Sequence, residues 1–304
     1  MSESTRSDRD RPESNSNLYS RRNSNQIPRI GLIALASIWT GLAIFFAFSD
    51  LSISQAVVDD ESRFGILTES YGEIPGLAAI VFALFVIHTN HARRRLALEI
   101  PIWIFMIAMT SLIGYYASAL FYSALVGSFD WFAEFGQWFW LGLAVSLLVL
   151  HVATRTYRFS DRISRYARIT VGIAVVNVLI FVQTIKPLWG RVRFRDLDAS
   201  FANFSPWYLP QGVTDASSFP SGHAALGWVL LPLVLLPGPR SHGLRILIAV
   251  VVAGWGLGVA TGRVVAGAHY ASDVLFSSGA AFLAFAFWHS RLQRNDNSNQ
   301  GKFQ

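Results

Sequence analysis

Two residues near the carboxyl-terminal end of the chain, His269 and Asp273, combine an imidazole with a carboxylate. They are four positions apart at the head of an apolar segment, so in a helix they would share one face. A carboxylate beside an imidazole fixes the tautomer of the ring and stabilises its protonated form. An aspartate close to hydrocarbon is costly unless it is paired. The pair is therefore a candidate catalytic centre, and the alternative is a structural contact between helices.

A second histidine, His223, follows the polar turn Pro220-Ser221-Gly222 and opens another apolar segment. The first N–H groups of a helix have no partner within the helix and lie at the positive end of its dipole, which favours anions. Gly222 has no side chain, so an anion can approach the backbone closely there. Taken alone, the turn is equally compatible with a serine that only caps the helix.

Basic residues that can neutralise an anion follow two apolar segments. Lys186 and Arg193 come after one segment, and Arg263 comes after another. Together with the amide donors of the polar turn, these cations suit a multiply charged oxyanion, above all a phosphate. Arg191 and Arg195 lie in the same stretch and could help to bind a diphosphate, but we interpret them as solvated loop charges.

Two imidazoles, several cations and backbone donors are the parts of a phosphoryl-transfer site. One imidazole attacks phosphorus, the second protonates the leaving oxygen, and the cations stabilise the charge on the phosphoryl oxygens. The sequence beside these residues offers no acidic cluster of the kind that binds Mg²⁺ or Zn²⁺. We therefore predict that the reaction uses no metal and no other cofactor.

The elements that must position these residues are transmembrane helices. Of 304 residues, 52% are hydrophobic and 14% are charged, whereas an average soluble domain has about 25% charged residues. A spanning helix needs about 20 predominantly apolar residues, and eight segments are candidates. They are 30–48, 74–90, 101–126, 137–153, 169–185, 223–236, 244–261 and 270–288. We predict an all-α, polytopic membrane helix bundle of about eight transmembrane helices, with residues 30–290 as its membrane domain.

The distribution of basic residues predicts the topology. With the amino terminus in the cytoplasm, cytoplasmic segments hold 19 of the 25 Lys and Arg residues and the opposite side holds 6, as the positive-inside rule requires. We therefore predict a multi-pass protein of the plasma or inner membrane, with a disordered cytoplasmic tail at 1–29 and a second cytoplasmic tail at 291–304. The candidate residues then lie on the extracytoplasmic side. The basic excess reflects topology and contact with anionic lipids, so nucleic acid is excluded as a partner.

Three stretches of the chain, taken in order, resemble the signature of the type 2 phosphatidic acid phosphatases, which are integral-membrane relatives of the vanadium haloperoxidases. "KPLWGRVRF" supplies Lys186 and Arg193, "PSGH" ends at His223, and "GRVVAGAHYASD" supplies Arg263, His269 and Asp273. The resemblance covers roughly residues 165 to 290, and three motifs in order make it specific.

The resemblance implies a role for each matching residue. His269 is expected to be the nucleophile that becomes phosphohistidine, Asp273 to orient it, and His223 to be the general acid. The residues expected to bind phosphate are Lys186, Arg193, Ser221, Gly222 and Arg263. The family core has six helices, so the spans 101–126 and 137–153 are the expected additions.

The sequence departs from the family pattern at Phe194, where a proline is usual, and at Gly262, where a serine is usual. Neither position needs a charge or a proton, so we expect the chemistry to survive. The remaining histidines are expected to be interfacial on the cytoplasmic side; they are His88, His91, His151, His242 and His289.

Three functions are compatible with these residues: a lipid phosphate or diphosphate phosphatase, a phosphotransferase to another alcohol, and a non-enzymatic transporter or binder of lipid phosphates. Binding alone needs no acid and nucleophile, which favours an enzyme. The partners expected are a phosphorylated lipid substrate and the membrane lipids; the sequence does not specify the lipid or the oligomeric state.

Overall fold

The computed structural model describes residues 29–90, 158–238 and 240–300. The predicted spans 101–126 and 137–153, the predicted tail before Arg29, and His91 and His151 lie outside these residues. The chain divides into two units, residues 1–38 and 39–304. The described part of the first unit is the beginning of the first helix, and the second unit holds all the other described elements.

All regular elements in the described part of the chain are helices, which confirms the all-α class. They are α1 (Arg29–Val57), α2 (Arg63–Tyr71), α3 (Ile74–Thr89), α4 (Asp161–Ile173), α5 (Gln183–Trp189), α6 (Gly222–Gly227), α7 (His242–Val265) and α8 (Ala271–Gln300). A π-helical segment, Ala174–Val182, joins α4 to α5, and 3₁₀ turns follow at Phe194–Asp196 and Trp228–Leu235. The last helix continues to Gln300, so it includes most of the segment that was predicted as a tail.

Five helical stretches are long and apolar enough to cross a membrane, as expected of a membrane protein. They are Ile33–Val57, Arg63–Thr89, Asp161–Asp196, His242–Val265 and Ala271–Asn295, and a shorter apolar stretch covers Gly222–Leu235. Six of the eight predicted spans thus correspond to apolar helices. The total of eight stays a prediction, because the other two spans lie outside the described residues.

Serine residues begin three of the helices. Ser62 precedes α2, Ser160 precedes α4 and Ser221 precedes α6, and each hydroxyl accepts a hydrogen bond from a backbone N–H in the first turn. Such caps satisfy N–H groups that a helix cannot pair internally, and each contributes about 1 kcal/mol.

The core lies between α3, α4, α8 and the Trp228–Leu235 turn, where Ile169, Ile173 and Val229 are fully buried. Outward-facing apolar side chains, such as Ile246 and Leu283, are more than half exposed. Lipid tails are as apolar as these side chains, so such a surface suits a bilayer. His88 is buried in α3, and its predicted position at the cytoplasmic interface stays a prediction.

Helix ends from distant parts of the chain meet at one end of the bundle, which we call the site end. The N–H of Asp59, just after α1, donates to the carbonyl of Val265 at the end of α7 (3.0 Å). The N–H of Ser221 donates to the carbonyl of Asp273 (3.3 Å). Every residue that the sequence singled out for chemistry lies in the loops and helix ends of this region.

Candidate active site

His269 and Asp273 lie next to each other at the site end, buried to 2% and 0% exposure. Nδ1 of His269 is 3.6 Å from Oδ2 of Asp273, which is within ion-pair range but longer than a hydrogen bond. The predicted shared helical face is wrong, because α8 begins at Ala271 and His269 precedes it. The pair meets instead because Asp273 turns back over the helix start, where its Oδ2 accepts the N–H of Tyr270 (2.9 Å). In a capping box, the acidic residue at the third helical position makes the same contact with the backbone N–H of the residue before the helix.

The environment of His269 keeps its ring neutral. Burial lowers the pKa of His269 to about 4, and the charges of Lys186 and Arg263 act in the same direction. Asp273 opposes this effect, but burial is the larger cause. At neutral pH the ring therefore retains a lone pair on one nitrogen, as a nucleophile requires.

Both carboxylate oxygens of Asp273 are held by further donors. Its Oδ1 accepts from Nη1 of Arg191 (2.6 Å), and its Oδ2 accepts from the hydroxyl of Ser218 (2.5 Å). Since Ser218 belongs to the turn before α6 and Arg191 follows α5, Asp273 joins the three signature stretches of the chain.

Arg191 is only 1% exposed, so its prediction as a solvated loop charge is wrong. The chain turns inward after α5 at Gly190, whose φ of 60° suits glycine. The guanidinium then lies over the ring of Tyr270, 4.0 Å from its centroid. Arg195 is 33% exposed and lies 3.4 Å from a carboxylate oxygen of Glu69, which is closer to the predicted loop charge.

Asp50 in α1 is a member of the site that the sequence analysis missed. It is 1% exposed, and its Oδ2 lies 2.8 Å from Nη2 of Arg191. Its Oδ1 accepts the N–H of Ser272 in the first turn of α8 (3.0 Å). The predicted span ended at residue 48, so Asp50 lay outside it, and only the longer helix shows that this acid needs a cation or a helix N-terminus nearby.

His223 contacts two residues that the sequence analysis also missed. Its Nδ1 lies 2.9 Å from Oε1 of Glu73, which is 6% exposed, and its Nε2 lies 3.1 Å from the backbone carbonyl oxygen of Glu69. Both partners are acceptors, so the ring satisfies both when each of its nitrogens carries a proton. Nε2 can reach a ligand only by giving up its contact with the carbonyl oxygen of Glu69, whereas Nδ1 can keep its contact with Glu73.

The predicted phosphate-binding cations converge near the two histidines. Arg263 is 3% exposed, and its guanidinium contacts both carboxylate oxygens of Glu69 at 3.1 Å. Nη2 of Arg193 donates to the hydroxyl of Ser217 (3.2 Å). Lys186 is within electrostatic range of Arg193, Arg263 and Asp273. The structure therefore brings together cations from two stretches of the chain that lie far apart in sequence.

The Ser221-Gly222 turn begins α6 beside Asp273. The hydroxyl of Ser221 accepts the N–H of Ala224 (3.3 Å), so the serine is a cap, as one interpretation of the sequence proposed. A methyl group added at Gly222 would have Val182 as its nearest contact, at 3.8 Å. Packing among the described residues thus does not require glycine here, which leaves close approach of a ligand as a reason for it.

Packing explains one of the two departures from the family pattern. A side chain at Gly262 would begin 1.9 Å from the hydroxyl oxygen of Thr68, because α2 and α7 approach closely at this point. Serine would not fit there unless Thr68 moved. Phe194 stacks on Phe201, with 5.8 Å between ring centroids, so it has a packing role of its own.

A cavity of about 280 Å³ opens beside Glu69 and Arg195. Its other charged lining residues are Asp59, Asp60 and Asp196. It adjoins the Glu69 side of the site and is not lined by either histidine. In the part of the chain that the structure describes, no group of three or more His, Asp or Glu side chains has the arrangement of a metal site.

Comparisons with known proteins agree with this arrangement. Residues 166–296 match the model of the PAP2 superfamily. A lipid A 4'-phosphatase from Francisella tularensis subsp. novicida (strain U112) is 29% identical over 158 residues, which cover 51% of this chain and 70% of the relative. No solved structure matches the chain significantly. The matched range includes every residue from Lys186 to Asp273, so the family resemblance found in the sequence is confirmed as a PAP2 superfamily match over residues 166–296.

Proposed function

We propose that this protein is a membrane lipid phosphatase that transfers the phosphoryl group of a lipid phosphate to His269 and then to water. The observation that carries the proposal is the convergence of two histidines, three cations and one buried carboxylate at one end of the bundle. They come from three separate stretches of a PAP2 superfamily domain.

In the first step, the imidazole of His269 attacks phosphorus and the bond between phosphorus and the lipid oxygen breaks. Because the ring is neutral and its Nδ1 faces Asp273, Nε2 is the nitrogen that attacks. The leaving lipid oxygen takes a proton from Nε2 of His223, which exchanges its contact with the Glu69 carbonyl for one with the substrate. The positive charge that forms on His269 is stabilised by Asp273, as in hydrolytic triads.

In the second step, His223, now without that proton, removes one from a water molecule. The water oxygen attacks phosphorus, the bond between phosphorus and His269 breaks, and inorganic phosphate leaves. His269 is again neutral and His223 is again protonated. Glu73 orients the ring of His223 through both steps, in the way that a carboxylate orients the imidazole of a triad.

The charges of Lys186, Arg193 and Arg263 bind the phosphoryl oxygens and stabilise them as charge develops. Arg263 contacts the carboxylate of Glu69 in this structure. A substrate phosphate would take the place of that carboxylate, so Glu69 competes with the substrate for Arg263.

A lipid phosphate monoester is the substrate class that we favour. The helices of the domain are apolar enough to lie in a bilayer, where lipid substrates are found. The 29% identical relative is named for removing the 4'-phosphate of lipid A, so lipid A is the first substrate to test.

We further propose that the site faces the extracytoplasmic side and that both termini are cytoplasmic, on the basis of the 19-to-6 charge distribution. The chain has no cysteine, so a single cysteine at the exposed Ser200 reports on the loop before α6. We expect a membrane-impermeant maleimide to label Ser200→Cys in intact cells. Labelling only after lysis would place the site on the cytoplasmic side.

The activity can be tested with purified protein and a panel of lipid A, phosphatidate, phosphatidylglycerophosphate and polyprenyl diphosphate. We expect release of inorganic phosphate from at least one lipid, also in excess EDTA, and none with His269→Ala. An acceptor alcohol that reduces phosphate release and becomes phosphorylated would identify a phosphotransferase instead. If no lipid is hydrolysed although the protein binds it, the protein is a binder.

A further inference from the structure

We infer that Asp50 and Arg191 are positioning residues for the reaction, acting on His269 through Asp273. The inference rests on the proposed function, since it assigns roles within the same site. The guanidinium group of Arg191 is buried, and Arg191 is not one of the predicted phosphate-binding residues.

The donors of Arg191 are used by the protein. Its Nε donates to the carbonyl of Ser205 (2.8 Å), and its Nη1 donates to the hydroxyl of Ser272 (2.8 Å) and to Asp273 (2.6 Å). Its Nη2 donates to Asp50 (2.8 Å). An arginine has five N–H donors in a rigid plane, and four of them have partners here. Arg191 would have to break buried contacts to bind a phosphate, so its role is to hold Asp273.

Asp50 holds the same carboxylate by a second route. It accepts the N–H of Ser272 (3.0 Å) and also contacts the hydroxyl of Ser272. Asp50 therefore fixes the first turn of α8, which carries Asp273, and at the same time fixes the guanidinium that binds Asp273. A displacement of that turn would change the distance between Asp273 and His269.

The charges of the cluster explain why Arg191 needs two carboxylates. Asp50, Arg191 and Asp273 are each at most 1% exposed, and ionised they carry a net charge of −1. If Asp50 were absent, the guanidinium would neutralise Asp273 alone. With Asp50 sharing the guanidinium, a negative charge remains to stabilise His269 when the ring becomes positive in the transition state.

The test is steady-state kinetics of the intact protein on the lipid that the wild type hydrolyses. The loss of a residue that orients a metal ligand typically costs about 10–100-fold, and by analogy we expect Asp50→Asn to lower kcat by that order with KM nearly unchanged. Arg191→Lys should do the same, since an ammonium group cannot bridge both carboxylates. The exposed Arg63 provides a control, and Arg63→Gln should retain wild-type kcat.

A double-mutant cycle separates positioning from general stability. In an Asp273→Asn background, Asp50→Asn should have little further effect on kcat, because its action passes through Asp273. A full additional loss in that background, or wild-type kcat for Asp50→Asn, would overturn the inference. If Asp50→Asn does not fold, Ser272→Ala removes the shared hydroxyl without removing a charge. It should lower kcat at constant KM, and an unchanged kcat would again overturn the inference.

A different result would show that the proposed function is wrong. In that case the wild-type protein hydrolyses no lipid phosphate, and the proposed positioning roles are wrong as well. An active wild type with fully active Asp50→Asn and Arg191→Lys leaves the phosphatase proposal intact and removes only the inference about positioning.

Discussion

Oε1 of Glu73 lies 2.9 Å from Nδ1 of His223, so each of the two histidines in the site has its own carboxylate. If His223 is the general acid and Glu73 orients it, Glu73→Gln should impair the step in which the lipid oxygen leaves. We expect a fall in kcat on the lipid of about tenfold or more, which is part of the ~10²–10⁴-fold that general acid catalysis as a whole contributes.

The effect of Glu73→Gln should depend on the leaving group. On p-nitrophenyl phosphate, whose leaving group barely needs a proton, the loss should be several-fold smaller than on the lipid. Equal losses on the two substrates would contradict an orienting role, and Glu61→Gln, an exposed change in the preceding loop, serves as the control.

The contact between Glu69 and Arg263 leads to an opposite expectation for the neighbouring carboxylate. Glu69→Gln removes a competitor of the phosphate and a negative charge beside it, so KM should fall several-fold. Product inhibition by inorganic phosphate should become stronger for the same reason. An unchanged or higher KM would show that Glu69 helps to position Arg263 and does not compete with the substrate.

Gly262 offers a test of the packing between α2 and α7. Gly262→Ser would place its Cβ 1.9 Å from the Thr68 hydroxyl oxygen, so Thr68 or one of the two helices must move. Overpacking of this kind typically costs about 1–3 kcal/mol, so the melting temperature in detergent should fall. Thr68→Ala in the same chain should recover part of that loss, because it removes the hydroxyl but leaves the Thr68 Cβ 2.6 Å from the added atom. No recovery would contradict the packing seen here.

The protonation of His269 predicts a pH dependence of stability. Burial lowers the pKa of His269 from 6.5 to about 4, so between these values the folded state binds fewer protons than the unfolded state. Stability should therefore be unaffected above pH 6.5 and should fall as the pH decreases toward 4, by an amount on the order of 3 kcal/mol. The melting temperature of His269→Gln should lack this decrease between pH 6.5 and 4. If it decreases with pH as much as that of the wild type, the ring of His269 is not buried in its neutral form.

The hydropathy of the sequence predicts most of the helices. The structure differs from the prediction where polar residues interrupt or end an apolar segment. The first span was predicted to end at residue 48, but α1 continues to Val57. Asp50 interrupts the apolar run there, yet it is buried against Arg191 and Ser272. Helix α2 was not predicted at all, because it is short and polar, and it carries Glu69.

For the site, too, the sequence predicted some residues and not others. Motif spacing predicted the two histidines, Asp273 and three cations, since those residues lie in short patterns along the chain. Asp50 contacts Arg191 across 141 positions, and the backbone carbonyl of Glu69 contacts His223 across 154. Such partners share no pattern in one sequence, and only the folded bundle brings them together.

Trapping the covalent intermediate shows whether His269 carries the phosphoryl group. Protein is mixed with a lipid substrate labelled in its phosphate, quenched with denaturant at alkaline pH, at which phosphohistidine is stable, and digested to locate the label. We expect label on His269 in the wild type. With labelled p-nitrophenyl phosphate, whose leaving group barely needs a proton, we expect more label in His223→Ala, because the intermediate still forms but water then lacks its base. His269→Ala should carry none and should hydrolyse neither the lipid nor p-nitrophenyl phosphate. Label on His223, or normal turnover by His269→Ala, would show that His269 is not the nucleophile.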